Sequence, residues 1–477
     1  MHAHGVGWRR ELLLVESQQH KPKLAAGRRS HGYWPLGGIV VWHYASPMRP
    51  YLVILSFLLT ACSGDPAAPA STAPPTEAQA SHELSEWKLP VSGGAARPDL
   101  VVAADGRLLL SWIETGNGST HALKFASFDG RSWNEPREIA RGDDWFVNWA
   151  DTPHIAATED GALWAHWLRR SAKATYAYDV VLSRSGDGGK TWSPALAVND
   201  DGTPTEHGFV SLWRQSRDSL GVAWLDGRNT AGAGHGAHEE HGGGAMSLRV
   251  ASFDPALRKS AEIELDPRTC DCCQTDAAMT SQGALLAYRD RDGDEIRDIV
   301  TMRFDHGAWT LPRKVHDDRW KMPACPVNGP AIAASGMQAW VAWYTAASDT
   351  PKVRVARSQD AGDSFSKPVE LDSGMRVQGR VGVAVEDDNV WVNWTREDAG
   401  GQSLWLAQYD ADLSNEVKRI EVSKLQGRGR ATGFPQMAAR ADAVYLVWTD
   451  VIDGKPALRG ARLAAKEDPG IPSPAEE

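Results

Sequence analysis

The chain reads as all-β, a β-propeller of four-stranded blades, on three observations. Helical periodicity is nearly absent, and short runs of β-formers separated by Gly, Asp and Asn dominate the 477 residues. An aromatic closes an apolar strand at Trp112, Trp167, Trp224, Tyr288, Trp343, Trp394 and Trp448, in steps of 55, 57, 64, 55, 51 and 54 residues. That period is the mark of a repeat architecture. A turn of the form Ser-x-Asp-x-Gly-x-Thr/Ser-aromatic occurs at Ser185, Asp187, Gly189 and Trp192, and again at Ser358, Asp360, Gly362 and Phe365. Its Asp is suited to accept the turn's own backbone N–H groups, and its Gly to supply a positive φ.

Taken in order, residues 1–47 resemble no part of a domain, and translation is expected to start at Met48. Residues 48–61 form a short signal peptide: Arg49, an apolar run too short to span a membrane, then a small-residue ending. The sequence Leu59-Thr60-Ala61-Cys62 resembles a bacterial lipobox, which implies cleavage before Cys62 and lipid attachment to its sulfur. Residues 62–83, rich in Ala, Pro, Ser and Thr, read as a flexible tether, and 466–477 as a polar tail. The expected location is the bacterial cell envelope, anchored on its periplasmic side or outer surface.

Residues 84–465 carry the repeat. Each unit has a first strand, an Asp-Gly-like turn, the marker strand, and a third strand ending near Asp129, Asp187, Asp254, Asp305, Asp360 or Asp410. A fourth strand often opens with Trp133, Trp192, Trp309 or Phe365. Four strands make a propeller blade. Seven sets of the first three strands stand against six fourth strands, and the missing one is at the front, around Glu86-Trp87. An N-terminal strand completing the last blade would close a seven-bladed ring without a free edge. Six blades is the alternative.

The Ser-x-Asp-x-Gly turns resemble the Asp-box of bacterial neuraminidase repeat proteins, the group that includes the sialidases. The resemblance spans residues 84–465 and implies a propeller with its active site on the rim opposite the Asp-boxes. That rim collects the loops from strand two to three and from strand four to the next blade. It further implies three Arg side chains gripping a sugar carboxylate, an acid/base carboxyl, and a Tyr nucleophile beside a Glu. Arg97, Arg228 and Arg380 are the candidate carboxylate binders, with His154 and His207 beside them. Asp151 or Asp226 is the candidate acid, and Tyr344 the candidate nucleophile. Glu206, Arg428 and Arg430 fall in the same loops. Two departures stand out. Sialidases have six blades, and Arg97 is followed directly by Pro98 where the family has Arg-Ile-Pro.

Cysteine is the most distinctive feature of the rim. Cys270, Cys272 and Cys273 precede the first strand of the fourth blade and Cys325 that of the fifth, so adjacent loops bring all four together. Disulfides are expected in an exported protein, Cys325 joining one of the triplet and Cys270 another. The alternative is a soft or borderline metal ion held by these thiolates, with His235, His238 and His241 close in sequence to the third blade's end. The acids of 290–298 lack the Gly of a calcium loop, with Glu295 in its place, and read as a solvated loop. No other cofactor is expected.

Net charge is −10 with no basic block, which argues against a nucleic-acid partner. A carbohydrate or glycoconjugate ligand and a monomer are expected. Two functions follow: a sialidase-like exo-glycosidase removing a terminal acidic sugar, or a non-catalytic envelope lipoprotein binding a glycan, protein or metal through the same rim.

Overall fold

A computed structural model describes residues 82–116, 118–231 and 244–465. Residues 1–47, the signal peptide, Cys62, most of the tether, the three histidines at 235, 238 and 241 and the tail lie outside the described residues.

The described chain builds seven antiparallel sheets in sequence order, a seven-bladed β-propeller. The first strands are Ala95–Val102, Ile155–Ala157, His207–Arg214, Asp276–Thr280, Ala331–Ser335, Val377–Glu386 and Gln436–Arg440. The fourth blade's outer strand is split into Ala308–Trp309 and Arg313–Lys314. The seventh blade takes its outer strand from the N-terminus: His82–Glu86 pairs with Lys455–Ala465, Leu84 opposite Leu463. The closing strand thus ends one residue before Trp87. Trp87 still donates its N–H to the Gly460 carbonyl at 2.9 Å, and its ring packs against Tyr445 and Phe128, locking the last blade onto the first.

All seven marker aromatics lie in second strands and are buried. These strands face a neighbouring blade on each side, so they read as unbroken apolar runs. Leu220–Asp226 is buried at every position. Trp112 shares a core with Tyr445 and Phe128, Trp224 with Tyr178 and Val180, and Trp394 with Trp340 and Val355. Truncating one such Trp would cost about 3–5 kcal/mol.

The Asp-box turns hold the outer hairpins. Asp187 accepts the N–H groups of Lys190 and Thr191 at 3.0 and 2.9 Å and the Thr191 hydroxyl at 2.7 Å. Ser185 Oγ accepts the Gly189 N–H at 2.8 Å. Gly189 has φ +80°, and a Cβ there would lie 2.1 Å from Cζ of Phe125 on the preceding blade. Trp192 meets the same Phe125 edge-on, 6.0 Å between ring centres. Ser358, Asp360, Gly362 and Ser364 repeat the pattern, with Gly362 at φ +93° against Leu285 of the fourth blade. Phe365 packs against the core shared by blades four and five. Each turn therefore ties its own hairpin and abuts the blade before it.

Candidate functional site

The first strands surround a central cavity of about 280 Å³ lined by residues of all seven blades. Side chains on these strands or just before them are bonded to the backbone of the next blade. Asp99 accepts the Ile155 N–H at 2.8 Å, Asp151 the Phe209 N–H at 2.9 Å, and Asp276 the Ile332 N–H at 2.8 Å. Asn328 does the same for Arg380 at 2.8 Å. These bonds satisfy backbone donors freed where blades meet, and they explain why acids recur at the start of first strands.

Burial in this ring favours the neutral form of several carboxyls. Asp151 is pushed up to about 7, mainly by desolvation with the Glu206 charge adding to it, and its Oδ2 is buried without a hydrogen-bond partner. Glu206 is likewise pushed up to about 7 by burial, and Asp276 to about 6. His154 is opposed by burial, but Asp99 at 3.0 Å, with Asp276 and Asp151 beyond, holds it above its ordinary value.

Three first strands carry a bulge on the rim where the register shifts, at 96–99, 208–211 and 379–382. Arg97, Phe209 and Arg380 sit there at φ +56°, +51° and +55°. A bulge with a non-glycine in the left-handed region re-aims its side chain at a cost on the order of 1 kcal/mol. The two arginines end up beside one indole. Arg380 lies 5.1 Å from the Trp149 ring, and its guanidinium is spent on the carbonyls of Gly429 and Gly433 and the Thr432 hydroxyl, at 2.8 Å each. Burial lowers it to about 10. It braces the 429–433 turn, which presents Arg430 5.7 Å from the same ring.

Arg97, Trp149 and Arg430 line a second cavity of about 230 Å³ on the rim, with Thr449 and Gly433 in its wall. Arg97 uses Nε on the Asn148 carbonyl at 2.9 Å. Neither Arg97 nor Arg430 has a carboxylate partner among the described residues, whereas Arg249, Arg291, Arg354 and Arg396 do. Trp149 stacks on Phe434, which also lines the central cavity, so the two cavities share an aromatic wall.

The other candidates are dispersed. Arg228 is gripped by Asp226 at 2.7 Å and Glu262 at 2.8 Å, which removes both Arg228 and Asp226 from any ligand role. Asp226 is fully buried, and although burial favours its neutral form, Arg228 holds it below the ordinary carboxylate range. His207 is buried between Asp201 at 3.2 Å and the Tyr178 carbonyl at 3.1 Å. Tyr344, half-buried in the fifth blade, packs edge-on against Trp320. A tyrosine that does meet a glutamate near the central ring is Tyr178, at the head of the second blade's third strand: its hydroxyl donates to Glu206 at 2.6 Å. Glu206 reads as a rim position and Tyr178 as the start of a strand, and nothing in sequence spacing pairs them. Burial holds the Tyr178 phenol protonated, with the Glu206 and Asp151 charges reinforcing it.

Cys270 and Cys273 are disulfide-bonded, while Cys272 and Cys325 are thiols in hydrogen-bond contact. The expected meeting of the two loops is present, but Cys325 is not bonded to the triplet. In the 290–298 loop, Asp292 accepts the N–H groups of Asp294 and Ile296, at 2.9 Å each, and closes its own turn.

No family model and no curated protein matches the chain. Solved structures similar to it include a Trypanosoma rangeli sialidase (12% identity, 69% of this chain and 56% of that one, TM-score 0.43). The phage phi92 endosialidase is similar over 83% of this chain and 71% of its own, at 10% identity and TM-score 0.43. The polysaccharide lyase Uly1 is similar over 80% and 91%, at 8% identity and TM-score 0.46. The likeness is one of fold. The chemistry of this rim has to be argued from its own residues.

Proposed function

We propose that this propeller binds a terminal acidic sugar of a glycan in the Arg97–Trp149–Arg430 pocket. The observation that carries the reading is the pair of guanidinium groups without an acid, facing one indole on the rim. A planar guanidinium matches a carboxylate with two parallel hydrogen bonds, and an indole face offers a surface for the apolar side of a sugar ring. Arg380, buried and bonded through both terminal nitrogens, braces the pocket and does not touch the ligand. The reading extends to an envelope lipoprotein anchored through Cys62, which places the rim among surface glycans. Screening methyl glycosides of sialic, glucuronic and neutral sugars by ligand-observed NMR tests it. Binding confined to acidic sugars supports it; binding of neutral sugars alone contradicts it.

A hydrolytic reading has one observation in its favour. The Asp151 carboxyl, at about 7, is a proton donor at neutral pH, and the Tyr178–Glu206 pair lies next to it. Against it, Tyr178 is wholly buried and held as the phenol, whereas a nucleophile must reach the ligand as phenolate. Turnover of a fluorogenic sialoside by wild type, abolished by Asp151→Asn, would establish hydrolysis. No turnover leaves the binding reading standing.

A further inference from the structure

The four cysteines of the rim hold two kinds of information: where the sulfurs are, and what surrounds them. Sγ atoms of Cys270, Cys272 and Cys273 all lie within 4.8 Å of one another. Cys325, from the neighbouring blade's loop, lies outside that triplet but against Cys272, with which it hydrogen-bonds. Cys270 and Cys273 are buried, Cys272 is half-buried and Cys325 is exposed, so the cluster is rooted in the core and open at one side.

The surroundings suit anionic sulfur. Arg297, only 2% exposed, donates from a terminal nitrogen to Cys270 Sγ at 3.4 Å, while also pairing with Glu295 at 2.9 Å. A neutral disulfide sulfur is a weak acceptor, and a buried guanidinium gains far more from a thiolate in that position. On the other side, the Val327 N–H donates to Cys272. Val327 does so from φ +49°, a strained region for a β-branched residue. Donors aimed at ligand sulfurs from beyond the ligand set are how proteins orient thiolates on a metal.

We propose that Cys270, Cys272, Cys273 and Cys325 form a site for a thiophilic d10 cation, zinc(II) or copper(I), clipping blades four and five together at the rim. All-thiolate donors select such ions. The rim as synthesised carries four thiols. Capture of the ion replaces thiol protons with metal–sulfur bonds, releases those protons to solvent, and changes no oxidation state. The Cys270–Cys273 disulfide is the competing form: a disulfide-carrying oxidant removes two electrons and two protons from that pair and is itself reduced to a dithiol.

The test uses the full chain with Cys62→Ser, purified without oxygen. Zinc(II) is titrated against a chromophoric chelator, and copper(I) separately against a copper(I)-specific one. The expected result is about one equivalent of one of the two ions retained against its chelator, with the other arm negative or weaker, and retention lost in Cys272→Ser. Arg297→Gln, which removes no ligand, is expected to weaken retention about 10–100-fold. This second variant keeps the test readable if Cys272→Ser does not fold. Retention of neither ion, retention unchanged in a folded Cys272→Ser, or retention unchanged in Arg297→Gln would overturn the proposal.

Discussion

Asp151 is where burial and function meet, and replacing it by Asn has a calculable outcome. Its carboxyl is pushed from the ordinary carboxylate range up to about 7, mainly because the charged form is desolvated in the central ring. The unfolded chain returns it to its ordinary value. Between pH 4 and pH 7 the native state therefore holds a proton that the unfolded state has lost. Wild-type stability falls as pH rises through that window and levels off above it. A shift of about three pKa units is worth about 4 kcal/mol when fully developed. The amide keeps the Oδ1 that accepts the Phe209 N–H at 2.9 Å and carries no charge at any pH. Asp151→Asn is accordingly expected to be more stable than wild type at pH 8, with the gap about 2–3 kcal/mol smaller at pH 5. Urea unfolding of both proteins at the two pH values measures it. A gap independent of pH, or a variant less stable than wild type at pH 8, would refute the burial argument for Asp151.

Three further outcomes follow, two from the fold and one from the N-terminal sequence. Gly189→Ala is expected to cost about 1 kcal/mol for its positive φ and about 1–3 more for the clash with Phe125, whereas Gly188→Ala, with φ +73° and open space around it, costs only the first part; thermal unfolding of the two variants separates them. Deleting residues 82–86 bares the edge of Lys455–Ala465, so the protein should self-associate with concentration, and light scattering that finds it as monodisperse as wild type would contradict the ring closure described here. Intact-mass analysis of the native protein is expected to give a chain beginning at a lipid-modified Cys62, and a peptide from residues 1–40 in the mature protein would refute that processing.

The architecture was legible because it is written locally and repeatedly. One large aromatic per second strand is imposed by burial on both faces, and Trp112 to Trp448 count out the blades as the structure does. The Asp-box is legible because its hydrogen bonds are internal to eight residues. The site was only half legible. Arg97 and Arg430 stood out as rim positions, but their freedom from carboxylates depends on neighbours far away in the chain. Arg228 is two residues from Asp226, which spends its charge, and Arg380 looked like a ligand group until its bonds to Gly429 and Gly433 placed it under the pocket. Trp149 was invisible as a site residue because nothing in its local sequence distinguishes a rim indole from a core one. The Tyr178–Glu206 contact crosses two blades, and sequence spacing carries no record of it. Asp151 reads as chemistry, yet like Asp99 and Asp276 it also fastens the next blade's backbone, a role that appears only when first strands are seen side by side.

The central claim is that the rim pocket grips an acidic sugar through Arg97 and Arg430. Calorimetric titration of wild type and Arg430→Ala with the tightest-binding acidic methyl glycoside tests it most directly. Arg430 is exposed and bonded to no side chain among the described residues, so its removal leaves the fold alone. Loss of one charged hydrogen-bonding pair, about 1.5–3 kcal/mol, predicts affinity about 10–100-fold weaker, with thermal stability unchanged. Equal affinity in the two proteins would contradict the account.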